Sequence, residues 1–360
     1  MRFVSPVLKR VVYPALAKTG YLRHCATRGP LSVVTYHGVL PQDYSMEDSR
    51  LDGSWVTADS FRRQLQLLRK NYNVVSPDQV RLWCRGEEGL PERAVLLTCD
   101  DGLANCVTDM LPVLLSEGVT CLFFVTAASL SDTAQMLWYE DLYLTMLHLP
   151  EGALKGTFCG VPIDEYVNSA VSQRHSSWHN LVQLLSTREP EIRVRFARSL
   201  RDTYGLDTDW DSRYLRKHPN RFRMLASEEV RTVLAAGMSI GSHTLTHPKL
   251  SQLSADLSER EIVESRSHLQ KLLGVPIWSI AYPFGGVDAV SPRELEIAER
   301  AGYDCAFVNF AGGFGSELPR FALPRVHVSL DMSLAEFEGH VCGLHEQMRR
   351  RFGVAERFPS

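Results

Sequence analysis

No stretch of this chain approaches the roughly 20 consecutive apolar residues of a membrane-spanning helix, so none is expected. Closely spaced cysteine pairs are missing as well. The eight cysteines, at 25, 84, 99, 106, 121, 159, 305 and 342, lack the Cys-x-x-Cys spacing of a zinc ribbon or a thioredoxin-like motif and fit a reduced, cytoplasmic compartment. A strong charge of either sign is lacking too. A formal net charge of −3 gives no general attraction to polyanions, and no nucleic-acid partner is expected. There is no internal repeat and no low-complexity segment. Hydrophobic residues make up 44% of the 360 residues, enough to bury a sizeable core, so disorder across the chain is excluded.

The first 28 residues lack any acid. Arg2, Lys9, Arg10, Lys18, Arg23 and Arg28 are mixed with Phe3, Val4, Val7, Leu8, Val11 and Leu16 at helical spacing. This pattern predicts a basic amphipathic helix over residues 1–28. Lys9 and Arg10 interrupt the apolar run that a secretory signal would need. Two roles stay open for the helix: peripheral contact with the inner membrane surface, or closing one end of the fold.

From residue 29 onward, short apolar runs alternate with helical patterns, which indicates a parallel sheet wrapped by helices. The runs are Leu31–Tyr36, Ala94–Cys99, Thr120–Thr126, Met238–Gly241, Ile277–Tyr282 and Cys305–Phe310. Ser291, Pro292 and Glu294 form a capping box with proline at the first helical position, and Gly302 marks that helix's end. The segment from about 131 to 225 breaks the rhythm and reads as a helical insert. In it Trp138, Tyr139, Trp178 and His179 either shape a groove or pack the insert onto the barrel. The domain is expected to span 29–345, followed by a tail over 346–360.

Two strings carry the chemistry. In the first, the strand Ala94–Cys99 runs directly into Asp100, Asp101 and Gly102. Strand interiors disfavour aspartate, and the C-terminal ends of parallel strands are where barrels and open sheets build their sites. Adjacent side chains on an extended segment point in opposite directions, so the two acids share a site only if the chain turns, which Gly102 permits. In the second string, His243 and His247 are four residues apart, a spacing that on a helical turn lets two imidazoles hold one divalent ion. With one carboxylate they make a two-nitrogen, one-oxygen set with positions left open, the pattern of a catalytic site.

These strings resemble the polysaccharide deacetylase family of NodB-homology carbohydrate esterases. Thr98 to Gly102 is similar to the family's Thr-Phe-Asp-Asp-Gly motif, with Cys99 in place of phenylalanine. His243 to His247 is similar to its histidine motif, and Tyr282, Pro283, Phe284 and Gly285 to its third. The resemblance implies an irregular (β/α) barrel with the insert added. It also implies Asp101, His243 and His247 as metal ligands, Asp100 as general base, and the Phe284 backbone N–H as an oxyanion donor. Zinc is the first expectation, with cobalt, nickel or iron compatible with the same donors.

The sequence also departs from the pattern. The arginine of the third motif is absent, and Arg325, then Arg320, are the candidates to orient the base. For the general acid, His37 is preferred to His327, because its Tyr-His setting at a strand end resembles members with permuted motif order. Tyr36, Trp55, Tyr282, Pro283, Phe284 and Gly285 are the residues expected to line the substrate site. The activity implied is removal of N-acetyl groups from amino sugars of a glycan. Hydrolysis of another amide or an O-acetyl ester, or glycan binding without catalysis, are the alternatives.

Overall fold

The structure is a computed structural model and describes residues 6–25, 29–42, 44–130, 135–168, 170–206, 209–210, 212–310 and 319–351. Arg2, Phe3, Val4 and Arg28 lie outside these residues. Seven parallel strands form the central barrel: β1 (Leu31–Tyr36), β2 (Ala94–Cys99), β3 (Leu122–Val125), β4 (Ser239–Ser242), β5 (Ser279–Ala281), β6 (Cys305–Val308) and β7 (Leu323–His327). Their order around the barrel is β1-β7-β6-β5-β4-β3-β2, and the β1–β2 pairing closes it. A short additional strand, Asn73–Val74, pairs with the start of β2 on the edge that β3 occupies further along.

Alternation sorts each strand's side chains into two sets. Leu31, Val33, Leu96, Leu122, Phe124, Ala281, Phe307 and Leu323 pack together inside the barrel, joined by Val80 and Cys84 of the helix Pro77–Cys84. Val34, Tyr36, Val95, Leu97, Phe123, Val125, Ile280 and Val308 face outward under the surrounding helices. Those helices end as their sequences suggest. Ser291 and Glu294 form the capping box of Pro292–Arg300, and the helix Ala255–Leu273 starts at Ser254 and stops at Gly274, whose φ is 69°.

The region between β3 and β4 holds the helices Trp138–His148, Arg174–Ser186 and Pro190–Thr203, with a core of their own around Leu142, Met146, Leu181, Leu185, Phe196 and Leu200. A buried charge cluster ties this region to the segment that follows β1. Arg221 bonds Glu140 with both terminal nitrogens and Asp52 at 2.8 Å, and its guanidinium lies 4.2 Å over the ring of Trp55. Trp55 is thus held under Arg221, 2% exposed, rather than lining the substrate site.

The two ends of the chain meet. A helical segment over Leu8–Val12 and Tyr13–Lys18 packs on the helix Leu334–Val341, with the Tyr13 hydroxyl 2.6 Å from Nδ1 of His345. The final helix, Leu344–Arg351, runs through the boundary at 345.

Candidate metal and catalytic site

The inward parity of the strands brings the polar residues to one end of the barrel. Thr35 is aligned with both Thr98 and His327, so two residues further on His37 and Asp100 leave their strands side by side on the inner face. Arg325 lies two residues before His327 and therefore also points in, its guanidinium 5.6 Å over the ring of Phe124. Gly241 occupies the inward position of β4, where an added Cβ would come within 2.5 Å of the Phe124 ring. His243 follows with the same parity.

Asp101 joins this set because the chain turns at it: φ is 74° at Asp101 and 80° at Gly102. Both acids thereby serve one site. The histidine pair differs from the helical turn expected, because Thr244 (φ 63°) and His247 (φ 59°) sit in a loop with left-handed corners. That loop is held from outside by Glu261 on the helix Ala255–Leu273, whose carboxylate accepts from the backbone N–H groups of Leu245 (2.9 Å) and Thr246 (2.8 Å). Arg193, from the helix Pro190–Thr203, donates to the Thr246 hydroxyl at 2.9 Å. Four of the six non-glycine residues with positive φ among the described residues, Asp101, Thr244, His247 and Phe284, belong to the site. Such backbone costs about 1–3 kcal/mol per residue and persists only where the surroundings enforce it.

Oδ1 of Asp101 faces Nε2 of His243 at 3.4 Å and Nε2 of His247 at 3.2 Å, and the three residues are buried. His243 Nδ1 lies 2.7 Å from the Ala281 carbonyl. A carbonyl only accepts, so Nδ1 carries a proton and Nε2 is the nitrogen turned toward Asp101. Lone pairs and a carboxylate oxygen converging at this separation repel one another unless a cation lies between them. The donor set therefore fits a divalent metal, held by Asp101, His243 and His247. Burial alone would raise the Asp101 carboxyl, yet the two imidazoles hold it well below the usual range. Burial lowers His247, with Asp101 opposing. Both shifts keep the ligands in their metal-binding forms.

Asp100 is gripped by Arg325 through two bonds of 2.6 Å, and neither residue is more than 2% exposed. Burial would raise Asp100, but the guanidinium outweighs it and the carboxyl stays below its ordinary value. The His37 and His327 rings lie edge to face, 4.8 Å apart. Burial, aided by His37, pushes His327 down to about 3.

Some expected residues are elsewhere. Tyr36 precedes His37 and so faces outward, edge-on to Phe61 at 4.9 Å, with its hydroxyl on Gln64. Tyr282 also faces outward and donates to the Phe321 carbonyl; neither tyrosine side chain lines the site. Arg320 is on the surface, paired with Glu299. Phe284 is in place, its ring 5.0 Å from that of His247, and Pro283 and Gly285 supply the backbone on either side. Gly285 has φ 55°, and a Cβ there would meet the Asn309 backbone nitrogen at 2.6 Å.

The insert contributes more than packing. The Tyr139 hydroxyl donates to Asp101 Oδ2 at 3.3 Å, its ring lies tilted 4.8 Å from that of His247 and 5.6 Å from that of Phe284, and Trp138 Nε1 donates to the His247 carbonyl. Burial, then Asp101, raises the Tyr139 hydroxyl well above its usual range, which keeps it a donor.

Residues 197–306, which carry the histidine loop and the third motif, match the model of the family described as polysaccharide deacetylase. Over that stretch the chain is similar to the polysaccharide deacetylase family. Across 86% of its length it is 22% identical to the poly-beta-1,6-N-acetyl-D-glucosamine N-deacetylase of Escherichia coli K12. It spans only about two fifths of the length of that relative and of the putative polysaccharide deacetylase YxkH of Bacillus subtilis, 39% and 41%. Two solved structures share the family fold. The Streptococcus pyogenes deacetylase PplD superposes with a TM-score of 0.53 at 18% identity, over 85% of this chain and 95% of that one. IcaB from Ammonifex degensii gives 0.53 at 19%, over 87% and 97%. The barrel is thus the (β/α) barrel of polysaccharide deacetylases.

Proposed function

We propose that this protein is a metal-dependent hydrolase that removes N-acetyl groups from amino sugars of a glycan or glycan precursor. The observation that carries the reading is the convergence of the Asp101, His243 and His247 ligand atoms, all within 4.8 Å of one another, beside a carboxylate clamped by Arg325. Zinc is the ion proposed. When bound, it would polarise the acetamide carbonyl.

The chain's own residues supply the remaining roles. Asp100, held ionised and fixed in direction by Arg325, takes the proton from an attacking water. The Phe284 backbone N–H donates to the developing oxyanion. His37 is the general acid that protonates the leaving amine, a role supported by its place just past the end of β1, beside Asp100. Likeness to a poly-N-acetylglucosamine deacetylase over most of this chain supports the substrate class.

The proposed organisation is one catalytic domain over 29–345 with the insert at 131–225. Action in the cytoplasm at the inner membrane surface is proposed from the exposed Val7, Val11 and Tyr21 beside Arg10 and Lys18.

The test is acetate release from N-acetylglucosamine oligomers by the purified protein, before and after chelation and after zinc is restored. The expected result is release that needs metal and falls by about 10²–10⁴-fold in Asp100→Asn. Release from O-acetylated glycans alone would transfer the assignment to an esterase. Stoichiometric metal binding with no release from either class would make this a glycan-binding protein.

A further inference from the structure

The insert brings two neighbouring side chains to two of the three ligands. Trp138 and Tyr139 open the helix Trp138–His148. Trp138 bonds the backbone carbonyl of His247, while Tyr139 bonds the side chain of Asp101. The Asp101 carboxylate is divided in use: Oδ1 faces both imidazoles at 3.4 and 3.2 Å, and Oδ2 is turned away toward the Tyr139 hydroxyl at 3.3 Å. Tyr139 is itself held. Trp178 Nε1, on a second insert helix, donates to its backbone carbonyl at 2.8 Å, and its ring is packed against His247 and Phe284.

We propose that Tyr139 is a positioning residue of the metal centre: its hydroxyl occupies Oδ2 of Asp101, so that this carboxylate ligates through one oxygen and leaves a coordination position open. The inference rests on the metal-site reading above and assigns the insert a role in it. A free carboxylate beside a divalent ion can ligate through both oxygens, and each extra protein oxygen removes a position that water or substrate carbonyl would take. A hydrogen bond to the outer oxygen opposes that mode, as partners of ligating groups commonly orient them. Tyr139 does this from an element outside the barrel strands, so the insert's docking and the coordination number at the metal are coupled.

The experiment is cobalt substitution of the whole protein, with Tyr139→Phe compared to wild type. Phenylalanine keeps the ring that packs on His247 and Phe284 and removes only the hydroxyl. The readouts are the visible d–d spectrum of bound Co²⁺, the cobalt dissociation constant, and kcat and KM separately. Cobalt bands weaken as coordination number rises. The variant is expected to bind one cobalt with weaker bands than wild type, and to lose roughly 10–100-fold in kcat with little change in KM. Tyr139→Met, which also lacks the hydroxyl, is the second variant and is expected to shift the bands in the same direction.

A Tyr139→Phe spectrum superimposable on that of wild type overturns the proposal, whatever the activity does. A wild type that takes up no cobalt overturns it together with the metal reading. If cobalt binds and the spectra differ while no acetate is released from any glycan, this proposal stands and the deacetylase reading falls.

Discussion

Arg325 and Asp100 face one another through two bonds of 2.6 Å, guanidinium to both carboxylate oxygens, inside the barrel. Arg325 comes from β7, the neighbour of β1 on the side opposite β2. The partner of Asp100 is therefore not in the third motif but on another strand that points to the same axis. A buried pair of this kind is costly to break from one side, because the remaining charge has no water to turn to. Arg325→Met is expected to lower unfolding stability by about 3–5 kcal/mol. The double variant with Asp100→Asn should recover most of that stability without recovering activity. Urea denaturation of the two singles and the double checks this, and a fully stable Arg325→Met would refute it.

Glu261 accounts for a second prediction. Its carboxylate accepts two backbone N–H groups from the loop that carries both histidines, and that loop has left-handed corners at Thr244 and His247. Removing the carboxylate leaves buried donors unpaired and frees the strained corners to relax. Glu261→Ala is expected to weaken metal binding by roughly 10–100-fold, although no atom of Glu261 is proposed to touch the ion. Competition of the loaded protein against a chelator measures it. An unchanged metal affinity would show that the loop holds its shape without this support.

Much of this arrangement was readable from period 2 alone. Counting alternate residues along β1 and β2 places His37 and Asp100 on the face opposite Tyr36, so the outward position of Tyr36 follows from the same parity that makes its neighbour a site residue. β7 was harder to see as a strand. Pro324 cannot donate to a ladder and Arg325 breaks the apolar run, features that normally mark an edge or a loop; here the site itself demands the arginine. The four-residue spacing of His243 and His247 is compatible with any compact turn and does not distinguish a helix from this loop. Its actual corners depend on Glu261 and Arg193, distant in sequence from the motif. The bond from Tyr139 to Asp101 had no local signal, since it depends on how the insert docks.

His327 carries a pH prediction. Its imidazole is neutral when folded, with burial pushing it down to about 3, while in the unfolded chain it titrates near 6.5. Between these values the unfolded state binds the proton and the folded state does not, so stability falls as pH drops. The contribution is fully present above about pH 6.5 and is lost progressively toward pH 3. His327→Gln, which cannot titrate, is expected to lose less stability on acidification, by on the order of a few kcal/mol at the acid end. Denaturation curves for wild type and variant at pH 7.5, 6 and 5 decide it; parallel loss in both proteins would assign the acid sensitivity to other groups.

The N-terminal helical segment presents two unlike faces, and the difference yields a prediction about membranes. Its inner face is committed: Tyr13 and Leu22 are fully buried against the C-terminal helices, and Lys9 bonds Asp331 at 2.7 Å. Its outer face leaves Val7 62%, Val11 60% and Tyr21 50% exposed, with Arg10, Lys18 and Arg23 around them. An apolar strip bordered by cations, with no acid in the first 28 residues, matches an anionic lipid surface, where cation attraction and apolar insertion add. The protein is expected to sediment with vesicles containing phosphatidylglycerol and to be released as salt is raised. Because Val7 and Val11 touch no part of the core, Val7→Glu with Val11→Glu should abolish sedimentation while leaving thermal stability and metal binding unchanged. Equal sedimentation of wild type and the double variant would mean that the helix only closes the end of the fold.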